Sequence, residues 1–114
     1  DGHLVRELNY LQPVGENNEG ALFARRGLEI LSVKIRGNEG QVGSFMAVDQ
    51  GRRYNLVDFR IDQCMKREIC EKYSEQMWQD LIDGRARDCF MDIIFIPKIN
   101  ERYQELQYTI VDCR

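Results

Sequence analysis

Histidine is almost missing from this chain. Among 114 residues there is one, His3, near the N-terminal end. A Ser-His-Asp triad would have to be built on that residue, so nucleophilic catalysis of that kind is not expected. Cysteine occurs four times, as Cys64, Cys70, Cys89 and Cys113, but never as Cys-x-x-Cys. Zinc sites need closely spaced Cys and His ligands, so no structural metal is expected. No secretory sign accompanies the cysteines, and reduced cytosolic thiols packed as small apolar groups are the expectation. There is no run of 18 apolar residues and no secretory leader, which argues against a membrane partner. Positive net charge is missing too. The formal net charge is −3, whereas a dedicated phosphate binder is usually basic. Any nucleic-acid site must therefore be a local patch.

What is present describes a globular domain. Hydrophobic residues make up 43% and charged residues 31% of the chain, a balance that folds rather than stays disordered. The length suits one domain that buries roughly two-thirds of its unfolded surface. The chain begins at Asp1 and ends at Arg114 directly after a strand pattern, and it is expected to be a domain of a larger protein.

Leu4, Val5, Leu8 and Leu11 form one stripe of a short N-terminal helix, ended by Pro13 and Gly15. A first strand is expected over 28–36, with Leu31, Val33 and Ile35 inward and Lys34 and Arg36 outward. Gly37-Asn38-Glu39-Gly40 is a tight turn. No Gly-Lys-Ser/Thr follows it, so it is not a phosphate cradle. Residues 41–50 are apolar on both parities, which predicts a strand buried on both faces or bulged at Gly43. Gly51 turns the chain into a third strand over 52–61, carrying Tyr54, Leu56, Val57, Phe59 and Ile61.

Residues 62–83 read as helical. Met65, Ile69, Tyr73 and Met77 recur at four-residue spacing, joined by Trp78, Leu81 and Ile82. Asp62 is the expected N-cap, Glu68 and Lys72 an i, i+4 pair, and Gly84 the C-terminal stop. Ser74 is placed to cap a second helix after a break near Tyr73. Residues 90–99 are β-branched and aromatic, a fourth strand. Leu106, Tyr108 and Ile110 alternate with Gln107 and Thr109 in a fifth, across a polar hairpin loop at 100–104.

This order of elements, three strands, a helix and two strands, is that of the OB-fold, a five-stranded partly open barrel. The expected class is all-β with one inserted helical region between strands three and four and a short N-terminal helix. Residues 1–27 are the helix and lead-in, and residues 28–114 the barrel domain.

Two blocks add a family resemblance. Leu11, Pro13, Gly15, Asn18 and Phe23 form the first. The second is Met91-Asp92-Ile93-Ile94-Phe95, Ile99-Asn100-Glu101, Leu106-Gln107 and Asp112. Together they resemble the C-terminal OB-fold domain of RecJ, the bacterial exonuclease of the DHH phosphoesterase superfamily that is specific for single-stranded DNA. The sequence departs from that pattern at Val14, where the family prefers Phe, at Asn17 for Gly and at Glu19 for Pro. It also departs in the helical connection, which is longer here.

The resemblance implies a bacterial, cytoplasmic enzyme of DNA repair and recombination. Its Asp and His clusters, holding manganese or magnesium, belong to catalytic domains outside this stretch. The stretch itself is then expected to have no catalytic residue, no metal and no cofactor. Implied partners are single-stranded DNA, the parent's catalytic domains and single-stranded DNA-binding protein.

OB-folds bind through strands two and three and the loops between strands one and two and between four and five. Those loops are 37–41 and 100–104. Lys34, Arg36, Lys98 and Arg102 flank them as candidate phosphate contacts, and Tyr103 offers a ring for stacking. Asn100 is a further candidate and, like Gln107, matches the family motif. Arg52 and Arg53, expected on the turn at the other end from these loops, are second choices. The alternative function is a non-catalytic scaffolding or protein-interaction domain of the same enzyme, for which the acidic charge and the long amphipathic helix speak.

Overall fold

The computed structural model describes residues 22–114. The expected N-terminal helix and the motif block at 11–18 lie outside the described residues. Five strands, β1 (Phe23–Arg36), β2 (Val42–Asp49), β3 (Arg52–Asp58), β4 (Phe90–Asn100) and β5 (Glu105–Cys113), close into a barrel in the order β1-β2-β3-β5-β4. A 3-10 turn (Ile61–Gln63) and two helices, α1 (Met65–Lys72) and α2 (Glu75–Asp83), fill the connection from β3 to β4. The β3–β5 pair is parallel and the others are antiparallel. This is the expected five-stranded barrel, with its helical region where the OB order places it.

β1 is long because it serves two neighbours. It begins at Phe23, before the expected start, and pairs with β4 and then with β2. Two irregularities bend it. One lies between Arg25 and Leu28 in the ladder with β4, at Gly27, whose φ of +66° favours glycine. The Gly27 N–H donates to Asp92 Oδ1 at 2.9 Å. The other lies between Ile30 and Ser32 in the ladder with β2. An extra residue kinks a strand and reverses its parity beyond the kink. Leu28 and Ile30 are therefore buried before it and Val33 after it, while Leu31 is half-buried and Ile35 exposed. The expected single parity of Leu31, Val33 and Ile35 holds only at Val33. Lys34 and Arg36 are exposed, as expected.

The bulge expected at Gly43 does not occur. The β2–β3 ladder runs unbroken from Gly43↔Asp58 to Asp49↔Arg52. Instead, a Cβ on Gly43 would sit 2.5 Å from Ile61 Cδ1 and 2.9 Å from Phe45 Cε1. Glycine leaves the space into which the 3-10 turn packs.

β3 stops at Asp58, short of the expected Ile61. Asp58 is buried, and its Oδ1 accepts the Arg60 N–H at 3.0 Å while Oδ2 accepts the Met65 N–H at 2.9 Å. These bonds turn the chain out of the strand. Phe59 is left exposed, and Ile61 reaches the core from the 3-10 turn. Asp58, not the expected Asp62, supplies the acceptor for the first N–H of α1. Asp62 lies 3.8 Å from Lys66 Nζ, on the surface.

The helical stretch is divided at Tyr73–Ser74. Ser74 is extended, and its side chain accepts the Met77 N–H at 3.0 Å to cap α2. Gly84, at φ +73°, ends α2. The expected Glu68–Lys72 pair does not form, because the end of α1 is tied to β4. Lys72 Nζ donates to the Phe90 carbonyl at 2.8 Å. Tyr73 Oη donates to the same carbonyl at 3.0 Å and accepts the Phe90 N–H at 2.9 Å.

The core lies inside the barrel and beneath α2. Leu28, Ile30, Phe45, Leu56, Met91 and Ile93 are fully or almost fully buried. Each such side chain contributes about 1.5–3 kcal/mol relative to exposure. Trp78 and Leu81 bring α2 onto this core, with the Trp78 and Phe45 ring centroids 6.0 Å apart. Ile82, expected on the same stripe, is exposed. Cys64, Cys89 and Cys113 are buried and unbridged. No helix among the described residues is long and apolar enough to cross a membrane.

Candidate nucleic-acid interface

Strand direction divides the candidate residues into two groups. β1, β3 and β5 begin at one end of the barrel and β4 ends there. The helices and the turn at 37–41 belong to the opposite end. That turn is held by Glu39 N–H donating to Gln41 Oε1 at 3.0 Å and by Ile61 N–H donating to the Gln41 carbonyl at 3.0 Å. Lys34 and Arg36 lie at this helical end, exposed near the end of β1. Arg52, Arg53, Lys98, Asn100, Arg102 and Tyr103 lie at the other, so Arg52 and Arg53 share the end of the 100–104 loop and not, as expected, the end away from it, because β3 runs parallel to β5. The two expected binding loops therefore sit at opposite strand ends.

At the end away from the helices, β4 and β5 continue as a two-stranded ribbon. The β1–β4 ladder stops at Phe23↔Phe95, while β4 and β5 stay paired to Asn100↔Glu105. Pro97 is tolerated there because, among the described residues, β4 has no β1 partner beyond Phe95. Ile99 and Leu106 are cross-strand partners with relative exposures of 66% and 53%. Lys98 is exposed opposite Gln107, and Asn100 is the last residue of β4. The turn closes with Gln104 Nε2 donating to the Glu101 carbonyl at 3.0 Å. Tyr103 is 61% exposed, and the Arg102 guanidinium lies 5.4 Å from its ring centroid. That distance is within cation–π range.

Below this ribbon is a cleft of about 240 Å³. Its walls are alternate residues on four strands. β1 supplies Phe23 and Arg25, and β3 supplies Arg52 and Tyr54. Phe95 and Pro97 come from β4, and Leu106 and Tyr108 from β5. The aromatic rings touch one another. Phe95 and Tyr108 meet edge to face at 4.9 Å, Tyr54 lies 5.6 Å from Tyr108, and Phe23 stacks on Phe95 at 6.2 Å. Arg25 and Arg52 are exposed, and no acidic side chain lines the cleft among the described residues. Of these residues only Arg52 was a sequence candidate. Tyr54 and Tyr108 read as ordinary inward-facing strand residues, and only the strand register brings them together.

A second, larger cavity of about 430 Å³ lies against α1, β4 and the chain end. Glu68, Glu71 and Asp92 there oppose Lys72 and Arg114, a balance unsuited to a polyanion. Asp92 and Arg114 are joined by their side chains at 3.2 Å and by two backbone hydrogen bonds. Asp92, a motif residue, thus also holds the bulge of β1 through Gly27.

The buried thiols are poor nucleophiles. Burial is the main cause that pushes Cys89 up to about 11. The Cys113 thiol is raised by its hydrogen bond with Cys64, whose Sγ is 3.3 Å away, and then by burial. Burial also raises Cys70. Thiolates, not thiols, attack and bind metals. Among the described residues, no group of three or more His, Cys, Asp or Glu side chains is placed to hold a metal ion.

The family model for the RecJ OB domain matches residues 1–112 of the chain. No curated protein and no solved structure gave a match.

Proposed function

The chain belongs to the RecJ OB domain family, and we propose that it binds single-stranded DNA and guides it to the catalytic core of an exonuclease. An OB domain is itself non-catalytic, so hydrolysis, with manganese or magnesium, belongs to other domains of the parent enzyme. DNA repair and recombination in the bacterial cytoplasm are the setting this assigns.

One observation carries the proposal. On a chain of net charge −3, the exposed cations Arg52, Arg53, Lys98 and Arg102 collect at the end of the barrel that also presents Tyr103. Cations give phosphate contacts, and an exposed ring gives a stacking surface that tolerates any base. Lys34 and Arg36, at the helical end, would extend the path along β1. The exposed Ile99–Leu106 pair favours a second role. It offers an apolar surface for docking on the parent's catalytic domains or on single-stranded DNA-binding protein.

A salt titration with oligothymidylate tests the proposal. Phosphate contacts produce a steep loss of affinity with salt, about 0.7 in log–log slope per contact on single strands. Arg102→Ala is expected to lower that slope by about one contact's share. Tyr103→Ala is expected to weaken binding by about 1–3 kcal/mol with little change of slope. Absence of binding at every salt concentration would leave the docking role and remove the DNA-binding one. If Tyr103→Ala lowers the melting temperature and leaves affinity per folded molecule unchanged, the ring is structural.

A further inference from the structure

We infer that the aromatic cleft at the open end of the barrel is a subsite for one nucleotide of the bound strand. Its rings stack the base, and Arg25 and Arg52 hold the adjoining phosphates. This rests on the single-strand binding proposed above, and it adds a place that the loop candidates do not include. It also differs from the β2–β3 face through which OB-folds usually bind, because no β2 side chain lines the cleft.

Three properties point to a nucleotide. The first is size. At about 240 Å³, the cleft is smaller than the ~300–1,000 Å³ sites that enclose whole small molecules. One base fits that scale. The second is surface. Phe23 is 40% exposed although it stacks on Phe95 with ring planes only 23° apart. A supported ring with open area is a ready stacking platform, since its position is fixed before the ligand arrives. Tyr54, Phe95 and Tyr108 continue the aromatic wall inward.

The third property is charge. Among the described residues, neither Arg25 nor Arg52 is in an ion pair. Arg25 donates to the neighbouring Ala24 carbonyl at 2.9 Å, which leaves other guanidinium donors available. Two planar guanidiniums in a cleft that no acidic side chain lines among the described residues complement a phosphodiester, which they bind in paired hydrogen bonds. An aromatic side chain from a protein partner would satisfy the rings and leave both arginines unanswered.

The test uses the 114-residue chain and oligothymidylate carrying single 5-iodouracil substitutions. Affinity is measured by fluorescence anisotropy at several salt concentrations, and photo-crosslinked peptides are mapped by mass spectrometry. Crosslinks are expected on Phe23 or Tyr108, whose rings keep open surface. Phe23→Ala is expected to weaken binding on the order of tenfold, the scale of one lost stack. Arg25→Glu, a change at an exposed cleft residue outside the cation patch proposed above, is expected to weaken binding and reduce the salt slope. It decides the matter if Phe23→Ala melts early.

Crosslinks confined to Tyr103 or to the outer face of β2–β3, with affinity unchanged in both variants, would remove the cleft subsite. The broader single-strand proposal would stand. No binding even at low salt would overturn both.

Discussion

Asp58 offers the most direct test of how the barrel is joined to its helices. Its carboxylate is 2% exposed and accepts two backbone N–H groups, those of Arg60 and Met65. Hydrogen bonds to a charged group contribute about 1.5–3 kcal/mol each. Asp58→Ala removes both and leaves two donors at the start of the helical connection. Some of that loss is recovered because water can reach the half-open turn near exposed Phe59 and Arg60. A net cost of about 3–4 kcal/mol follows, a large share of the ~5–15 kcal/mol that holds a domain together. With a urea m-value near 1.5 kcal/mol/M, the midpoint should fall by about 2–2.7 M. Asp58→Asn keeps one acceptor oxygen and should cost about half as much. Equilibrium urea unfolding followed by far-UV circular dichroism measures both. A loss under about 0.5 kcal/mol for Asp58→Ala, or equal losses for the two variants, would refute this account of the turn.

Gly43→Ala should cost about 1–3 kcal/mol, because its methyl meets the buried Ile61 and Phe45. Ile61→Val removes the Cδ1 carbon from that encounter, so the double variant should be more stable than the summed single losses; strict additivity in urea unfolding would contradict the packing assigned here. Cys89 gives a pH prediction. Its thiol is raised in the fold to about 11 from 9.0, so its contribution is fully present below the unfolded value and is lost as pH rises through about 11. Relative to Cys89→Ala, the parent chain should lose on the order of 2–3 kcal/mol between pH 8.5 and 11, and parallel stability curves would show that this thiol does not titrate as described.

Much of the fold could be read before any coordinates. Glycines at 37, 40, 51 and 84 punctuate the chain at real turns, and Ser74 marks the break between α1 and α2. Period-two patterning put Lys34 outward, as the structure has it, and grouped Leu106, Tyr108 and Ile110 on one face, of which Ile110 is buried, Tyr108 half-buried and Leu106 exposed. The failures share one physical origin. A bulge cannot be seen in a hydrophobic pattern, because it breaks the period that the pattern assumes. The shift near Leu31 thus misassigned Ile35. Asp58 was hidden for a related reason. It caps a helix from seven residues upstream, whereas a local cap search looks only at the adjoining Asp62.

The site was legible in the same uneven way. Exposure follows from charge, so the basic candidates were placed on the surface correctly. Which of them share an end of the barrel depends on strand direction, and this separates Lys34 and Arg36 from Lys98 and Arg102. The cleft required more. Phe23, Tyr54, Phe95 and Tyr108 are far apart in sequence, and each alone reads as a core residue. Only the ladders among β1, β3, β4 and β5 gather them at one opening.

The parallel join of β3 to β5 has a consequence for the order of assembly. It consists of Leu56↔Tyr108 and Val57↔Thr109 alone, whereas the hairpins on either side are laddered along most of their length. The hairpins close short loops and can form early. The join spans half the chain and rewards its loop-closure entropy with little pairing, so it forms late and opens first. The barrel thus behaves as a curled sheet with a latch, and local opening runs along that line while the β1–β3 meander stays intact. Tyr54 and Tyr108 stand on either side of the latch, 5.6 Å apart. A nucleotide held by Arg52 on β3 and Tyr108 on β5 would bridge the two strands, so that a bound strand would slow the unlatching of the domain that holds it.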